Sequence, residues 1–231
     1  MAEIPTDGLA AISSQLRRWG IALTPAQRER ILAFLALLEH WNRRINLTGD
    51  RERGVLLHRH VLDCLMLEAL PRPAGRRHWL DVGSGAGLPG LLIAIMHPED
   101  LVTAVESAAK KATFLQHATR TLGLANVRVV RGDVGRLEPP PPGEQPYDVL
   151  VARAFADLER LLGLSARLLP PGAELWAMKG VRWEAELNRV PGALRARFDP
   201  QPRRLAYDLA PGGAAGVILV FRVRMDPATE A

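Results

Sequence analysis

A glycine-rich segment is the strongest chemical signal in this chain. It reads Leu80-Asp81-Val82-Gly83-Ser84-Gly85-Ala86-Gly87-Leu88-Pro89-Gly90, with a glycine at every second position from residue 83 to residue 87. Glycine adopts positive φ at little cost and lets a ligand approach the backbone closely. The segment therefore predicts a loop that binds a nucleotide-like cofactor.

Two cofactor classes fit the spacing of these glycines. Gly85, Gly87 and Gly90 match the dinucleotide pattern G-x-G-x-x-G, which is a weak signal by itself. Gly83, Gly85 and Gly87 match the loop that binds S-adenosylmethionine in class I methyltransferases. An NAD-dependent oxidoreductase and a methyltransferase are therefore the two candidate enzyme classes.

The acidic residues around the loop favour S-adenosylmethionine. The carboxylate of Asp81 suits the cationic amine of that cofactor, whereas it would repel the pyrophosphate of a dinucleotide. Glu106, at the end of the next predicted strand, can bind the ribose hydroxyls of either cofactor. The chain has only two tyrosines and no obvious catalytic Tyr–Lys pair, which also disfavours an oxidoreductase.

Basic residues are concentrated in the N-terminal third. Of the net charge of +5, residues 1–78 contribute +4, with 12 arginines, no lysine and 8 acidic residues. Such an excess suits a polyanionic partner, although a solvated arginine-rich surface would look the same. The candidate RNA-binding residues are Arg43, Arg44, Asn46, Arg53, Lys110 and Lys179.

Composition excludes several other classes of protein. The 231 residues are 48% hydrophobic and 24% charged, which is typical of a globular protein. The lone Cys64 excludes an internal disulfide, and with His58 and His60 it falls short of a structural zinc site, so we expect no metal. We see neither a secretory signal nor an apolar run of roughly 20 residues that would span a membrane. We expect a cytoplasmic monomer.

Helical signals dominate the first 75 residues, which we interpret as a helical N-terminal cap. Thr24 and Gln27 form a capping box, with Pro25 at the first helical position. Apolar residues at helical spacing then run to Ile45. Further helices are predicted at about 9–19 and about 54–70.

Residues 76–231 follow a different pattern, in which short apolar runs alternate with amphipathic stretches. This alternation predicts an α/β domain with a parallel sheet, and the last strand is expected to insert antiparallel because no clear helix precedes it. The predicted strands are 78–82, 101–105, 127–130, 148–152, 174–178 and 217–223, and the predicted helices are 90–96, 108–122, 156–169 and 181–196.

Several short motifs occur in a consistent order along most of the chain. They are Asn46-Leu47-Thr48, His60 with Asp63, the glycine-rich loop, Glu106-Ser107, Lys110-Lys111, Phe114-Leu115, Arg153-Ala154-Phe155-Ala156 and Lys179-Gly180. With these motifs the chain resembles the bacterial ribosomal RNA small subunit methyltransferase G family, also called glucose-inhibited division protein B.

The resemblance implies a fold, an activity and a set of contacts. The fold is that of class I S-adenosylmethionine-dependent methyltransferases: a Rossmann-like, mostly parallel seven-stranded sheet with a helical N-terminal extension. The activity is methyl transfer to N7 of a guanine (position 527) in the 530 loop of 16S rRNA, on the RNA or an assembly particle. The implied cofactor contacts are Gly83, Leu88, Val134, Gly135 and Arg153, with Glu106 near the ribose. Family members commonly carry an acid where Gly135 stands, so either Asp133 supplies it or the contact is with the backbone alone.

The implied reaction needs no general base, because guanine N7 is a ring acceptor without a proton. Alignment of N7, methyl and sulfur and exclusion of water should supply most of the catalysis. Arg153 is then a candidate for positioning the substrate rather than for acid–base work. A small-molecule methyltransferase and a catalytically silent RNA-binding assembly factor remain as alternatives.

Overall fold

The computed structural model describes residues 9–72, 75–209 and 215–225. Within these residues, seven strands form a single sheet in the order β3-β2-β1-β4-β5-β7-β6. The strands are β1 (His78–Val82), β2 (Leu101–Glu106), β3 (Val127–Arg131), β4 (Val149–Arg153), β5 (Glu174–Lys179), β6 (Arg203–Asp208) and β7 (Ala215–Arg222).

The sheet is mixed, with a parallel part and an antiparallel edge. Strands β1 to β5 pair in parallel, and β7 pairs antiparallel with both β5 and β6. The predicted antiparallel insertion of the last strand is thus confirmed. Strand β6 was not predicted from the residue pattern. Only Tyr207 of its six residues is buried, as expected for an edge strand, so the segment carries no apolar run.

Apolar side chains cover both faces of the sheet. Neighbouring residues of a strand alternate between two hydrophobic clusters, so that Trp79 belongs to one and Leu80 to the other. Helices α5 (Gly90–Met96) and α6 (Ala109–Thr121) pack on the Trp79 face, and α7 (Leu158–Leu168) packs on the Leu80 face. This arrangement brings the carboxyl ends of β1, β2 and β4 to one edge of the sheet.

The N-terminal segment is helical and packs on the Trp79 face. Helix α1 spans Ala10–Arg18, and α2 spans Pro25–Asn42 behind the predicted capping box, which is confirmed. Phe34 and Leu35 of α2 are fully buried in the cluster that also holds Leu91. The boundary at residue 75 between a cap and a methyltransferase domain remains a prediction.

The third N-terminal helix is less regular than its periodicity suggests. It consists of α3 (Arg53–Val55), a π-helical stretch (Leu56–Val61), α4 (Leu62–Leu65) and a 3-10 turn (Met66–Ala69). A π-helical stretch changes the direction of the side chains that follow it and is frequent at functional sites.

The predicted helix 181–196 is wrong. Two short helices stand there, α8 (Trp183–Leu187) and α9 (Gly192–Arg195). Pro191 separates them because it has no amide hydrogen to donate and its ring disfavours a helical preceding residue. In the parts of the chain that the structure describes, no helix is both long and apolar enough to cross a membrane.

Candidate active site

The glycine-rich loop connects β1 to α5 at the carboxyl edge of the sheet. Gly83, Gly85 and Gly87 have φ values of 68°, 52° and 78°, which are conformations that favour glycine. The amides of Gly83 and Ser84 both donate to the carbonyl oxygen of Val105, at 2.9 and 3.0 Å. The loop is therefore turned back over the end of β2, the strand that carries Glu106.

Phe155 lies directly against the loop. A Cβ atom added to Gly83 would stand 2.2 Å from Cδ2 of Phe155, far inside van der Waals contact. The guanidinium of Arg160 lies 5.2 Å from the centre of the Phe155 ring, on its face. Sequence reasoning recognised Phe155 only as part of a motif and gave it no role.

Asp81 lies beneath the loop and holds the start of α5. Its side chain is 1% exposed, and Oδ2 accepts a hydrogen bond from the amide of Gly90 at 3.1 Å. A Cβ atom on Gly90 would stand 2.5 Å from that oxygen, so only glycine allows this contact. Burial, with a smaller contribution from the charge of Glu106, raises the pKa of Asp81 to about 7, although the hydrogen bonds of Ser84 and Gly90 oppose this shift. A cation brought to this carboxylate would therefore be strongly favoured.

Glu106 joins the loop to α6. One carboxylate oxygen accepts from the amide of Gly85 at 2.9 Å, and the other accepts from the amide of Ala108 at 2.8 Å. Each oxygen retains a second lone pair, because a carboxylate offers about four acceptor sites. The ribose contact of Glu106 stays a prediction that this geometry allows.

Val134 and Gly135, two of the predicted cofactor contacts, follow β3. Val134 is buried at the start of a 3-10 turn (Val134–Arg136), and the carboxylate of Asp133 accepts from the amide of Gly135 at 2.9 Å. No acidic side chain stands at position 135 itself, and the carboxylate nearest to it in sequence is that of Asp133, two residues earlier. Leu88 is buried in the hydrophobic cluster beside the loop.

Arg153 ends β4 and is held by the N-terminal segment. Its Nε donates to Oδ2 of Asp63 at 2.6 Å. Its Nη2 lies 3.0 Å from both the carbonyl oxygen of Arg59 and Nδ1 of His60. His60 and Asp63, which lie about one helical turn apart, thus connect the N-terminal segment to the end of β4 through this arginine.

A cleft of about 440 Å³ opens beside Arg153 at the ends of β4 and β5. Cationic side chains line it, together with the carboxylates of Asp63 and Glu186; the cations are Arg59, Arg153, Lys179 and Arg182. Lys179 is committed within the fold, because its Nζ pairs with Glu186 at 2.6 Å and donates to the carbonyl oxygen of Ala156 at 2.9 Å. An RNA contact by Lys179 would have to compete with these two partners.

The family model for rRNA small subunit methyltransferase G matches residues 27–197. The chain belongs to this family. The Ribosomal RNA small subunit methyltransferase G of Burkholderia ambifaria is 39% identical over 209 residues, which cover 90% of this chain and 87% of that protein. The one of Aromatoleum aromaticum is 41% identical over 190 residues, covering 80% and 87%.

Solved structures show the same fold at low sequence identity. The structure of TYW2 from Pyrococcus horikoshii in complex with MeSAdo superposes with a TM-score of 0.53 and 18% identity, covering 72% of this chain and 63% of that chain. The sheet order and the helical N-terminal segment thus belong to the class I methyltransferase fold that the sequence predicted.

The other predicted RNA-binding residues of this methyltransferase G family member lie apart from the cleft lining. Arg43, Arg44 and Asn46 are exposed around the end of α2, and Lys110 is exposed on α6. Arg44 contacts His40. Arg53 forms an ion pair with Glu39, which offsets part of its charge. Their contact with RNA stays a prediction.

Sequence reasoning missed Asn42, which organises the loop after α2. Its Oδ1 accepts from the amides of Leu47 and Thr48 at 2.8 and 3.0 Å, and its Nδ2 donates to Oγ1 of Thr48 at 3.0 Å. The side chain is almost fully buried. A polar amide on the apolar face of a helix was the available signal, since such groups are buried only when hydrogen-bonded.

Proposed function

We propose that this protein transfers the methyl group of S-adenosylmethionine to N7 of a guanine in the 530 loop of small-subunit rRNA. The observation that carries the proposal is the placement of Arg153, fixed beside a cleft, at the strand end next to a loop of three positive-φ glycines. Membership of the methyltransferase G family supports the rRNA substrate, and the cofactor is S-adenosylmethionine.

The residues around the loop fit this cofactor. Asp81 supplies a buried carboxylate for a cationic amine, and Glu106 supplies free acceptor sites for ribose hydroxyls. The positive-φ backbone of Gly83 and Gly85 lets a ligand lie against the loop. S-adenosylmethionine brings an already activated methyl group on its sulfonium sulfur, so the protein has to bind and align rather than activate.

The chain's own residues then act by positioning the nucleotide. N7 has a free lone pair and loses no proton, so neither a general base nor a nucleophile is required. The guanidinium of Arg153 is permanently charged and suits an oxygen acceptor, such as guanine O6 or a phosphate oxygen. The Phe155 ring against Gly83 gives the loop an apolar wall that excludes water from the transfer path.

The exposed arginines after α2 provide a second, less specific part of the site. Arg43 and Arg44 are exposed, and the phosphates of RNA attract such charges over a distance of about 10 Å. We infer that they help to hold the RNA while a guanine enters the cleft. The protein would act as a monomer in the cytoplasm, where the ribosomal subunit is assembled.

A transfer assay tests the proposal. Purified protein is incubated with methyl-labelled S-adenosylmethionine and small-subunit rRNA that lacks its native methylation, either naked or in assembled particles. Chain cleavage at 7-methylguanosine then maps the label. A single labelled guanine in the 530 loop is the expected result, and a label at another site would contradict the assigned position.

The two alternatives give different results in the same assay. A small-molecule methyltransferase would bind the cofactor but label neither naked RNA nor particles. A silent assembly factor would bind the RNA or particle without transferring any label. A protein that binds no S-adenosylmethionine in calorimetry would contradict the cofactor assignment itself.

A further inference from the structure

We propose that Asp63 and Tyr207 are positioning residues for the methyl-transfer reaction, which act by fixing the guanidinium of Arg153 at the cleft. The inference rests on the proposed function, since it concerns the same site. It adds two residues from distant parts of the chain, one in the N-terminal segment and one in the edge strand β6.

The contacts of Arg153 leave one nitrogen for a ligand. Nε is taken by Asp63, and Nη2 is taken by the carbonyl oxygen of Arg59 and by His60. In the described part of the chain, no atom makes a hydrogen bond with Nη1. Since a guanidinium carries five N–H donors in a rigid plane, fixing two nitrogens also fixes the direction of the third.

His60 is set to accept, not donate, on the side of Arg153. Its Nε2 lies 2.9 Å from Oδ2 of Asp50, and its Nδ1 lies 3.0 Å from Nη2 of Arg153. Because a guanidinium only donates, Nδ1 must be the unprotonated nitrogen and Nε2 must carry the proton that Asp50 accepts. The neutral imidazole is therefore held by Asp50 and in turn fixes Nη2 of Arg153.

Asp63 is itself held in place by Tyr207. The hydroxyl of Tyr207 donates to Oδ1 of Asp63 at 2.5 Å, while Oδ2 of the same carboxylate accepts from Arg153. Tyr207 is 4% exposed, so water does not compete for this contact. With both oxygens bound, the carboxylate cannot rotate, and Arg153 has a rigid partner.

The absence of a side chain at Gly216 allows Tyr207 to contact Asp63. Tyr207 pairs with Gly216 across the antiparallel β6–β7 ladder. A Cβ atom on Gly216 would lie 2.4 Å from Cζ of Tyr207 and 2.6 Å from its hydroxyl. The ring therefore lies across β7 at the one pair position where the neighbouring strand has no side chain, and this directs the hydroxyl to Asp63.

A purely structural link between the N-terminal segment and the sheet would use the same contacts. Such a link would contribute to the free energy of unfolding whether or not Arg153 is present. A positioning residue changes substrate or cofactor handling only through Arg153. The interaction between substitutions at Tyr207 and Arg153 therefore separates the two roles.

The test is a double-mutant cycle with Tyr207→Phe and Arg153→Lys in the full-length protein. Tyr147→Phe is the matched control, because Tyr147 is the chain's other tyrosine, is also buried and lies outside the cleft lining. The quantities measured are kcat and KM for methyl transfer to small-subunit RNA, the calorimetric Kd for S-adenosylmethionine, the Kd for RNA, and Tm. Both dissociation constants remain measurable if a variant is inactive.

We expect Tyr207→Phe to lower kcat/KM about tenfold, and to have little further effect on either Kd in the Arg153→Lys background. Gly216→Ala should reproduce the effect of Tyr207→Phe by displacing the ring. A change in the Kd for S-adenosylmethionine would identify a cofactor oxygen as the acceptor of Nη1, and a change only in the RNA parameters would identify a nucleotide oxygen.

Two results would overturn the inference. One is a Tyr207→Phe variant that resembles Tyr147→Phe, with a lowered Tm but unchanged kinetics and affinities. The other is an effect of Tyr207→Phe that is equally large with lysine at position 153. The proposed function fails differently, since in that case the unsubstituted protein would not methylate the RNA at all.

Discussion

Gly83 and Phe155 are in contact across the gap between the carboxyl ends of β1 and β4. No side chain can be placed at position 83 without moving the Phe155 ring, because a Cβ atom there would stand 2.2 Å from Cδ2. This contact joins the glycine-rich loop to the segment that follows Arg153. The two halves of the site are therefore coupled through one glycine.

Gly83→Ala should abolish or strongly weaken S-adenosylmethionine binding, by at least tenfold. The added methyl group clashes with the Phe155 ring. In addition, the backbone at position 83 has a φ of 68°, a conformation that favours glycine. Calorimetric titration measures the loss. Gly123→Ala is the matched control, since Gly123 has φ at 64° but no atom within 4 Å of a Cβ there, so it carries only the backbone cost of about 1–2 kcal/mol. Unchanged affinity in Gly83→Ala would contradict the loop assignment.

The affinity for S-adenosylmethionine should rise between about pH 6 and about pH 7.5. Burial raises the pKa of Asp81 to about 7, and only the ionised carboxylate attracts the cofactor amine. The expected gain is about five- to tenfold over this range. Asp81→Asn should bind weakly with an affinity that is flat over the same range. An identical pH dependence in both proteins would show that Asp81 does not contact the amine.

The same group predicts how stability without cofactor depends on pH. The folded protein holds the Asp81 proton more tightly than the unfolded chain, whose ordinary pKa is 3.8. The free energy of unfolding should therefore fall as the pH rises from about 4 to about 7, and Asp81→Asn should remove this fall. Denaturant unfolding at several pH values measures it. A slope that persists in Asp81→Asn would assign the effect to another group.

His60 should act on stability with the opposite sign. Burial and the charge of Arg153 lower the pKa of His60 below its ordinary value of 6.5, although Asp50 opposes this and Arg59 adds to it. The unfolded chain then binds a proton more readily than the folded one, so stability should fall as the pH drops below about 6.5. His60→Gln should flatten that part of the profile, as measured by denaturant unfolding at several pH values, and an unchanged slope in this variant would assign the effect to another group.

Arg44→Ala combined with Arg53→Ala should weaken RNA binding and reduce its salt dependence. Each lost phosphate contact lowers the slope of log K against log salt by about 0.7 to 0.9. Arg195→Ala with Arg197→Ala is the charge-matched control, because these exposed residues lie around α9, which packs against the other face of the sheet. Fluorescence titration with an RNA fragment at several salt concentrations gives the slopes. Equal slopes for the two double variants would assign the N-terminal arginines to a solvated surface.

The parallel core was predictable because its signals are local. The apolar runs of β1, β2, β4 and β5 are buried on both faces, and such runs have few alternatives in a chain of this length. The capping box at Thr24 is likewise a matter of a few neighbouring residues. The positive φ values of the loop glycines are conformations that this residue type permits at little cost.

The edge of the sheet was harder to predict. Strand β6 is mostly exposed, so its composition resembles that of a loop, and it becomes a strand only because β7 offers it a partner. The interruption at Pro191 was visible in the sequence, but the apolar spacing on either side suggested one helix instead of α8 and α9. At β6 a tertiary contact overrode the local pattern, whereas at Pro191 two local signals conflicted.

The sequence by itself determined the fold class, the glycine-rich loop between β1 and α5, and the candidate residues for contacts with a cofactor. Asp81 and Glu106 could be named because their types and positions at strand ends suit the chemistry, and Arg153 because it stands in a motif that resembles the family's. Only the tertiary structure decided what surrounds Arg153. Its contacts with Asp63 and His60 span about 90 residues of chain, and Tyr207 reaches Asp63 across 144. Such contacts depend on how the N-terminal segment packs against the sheet and on which strand lies beside Gly216, and no local pattern specifies either.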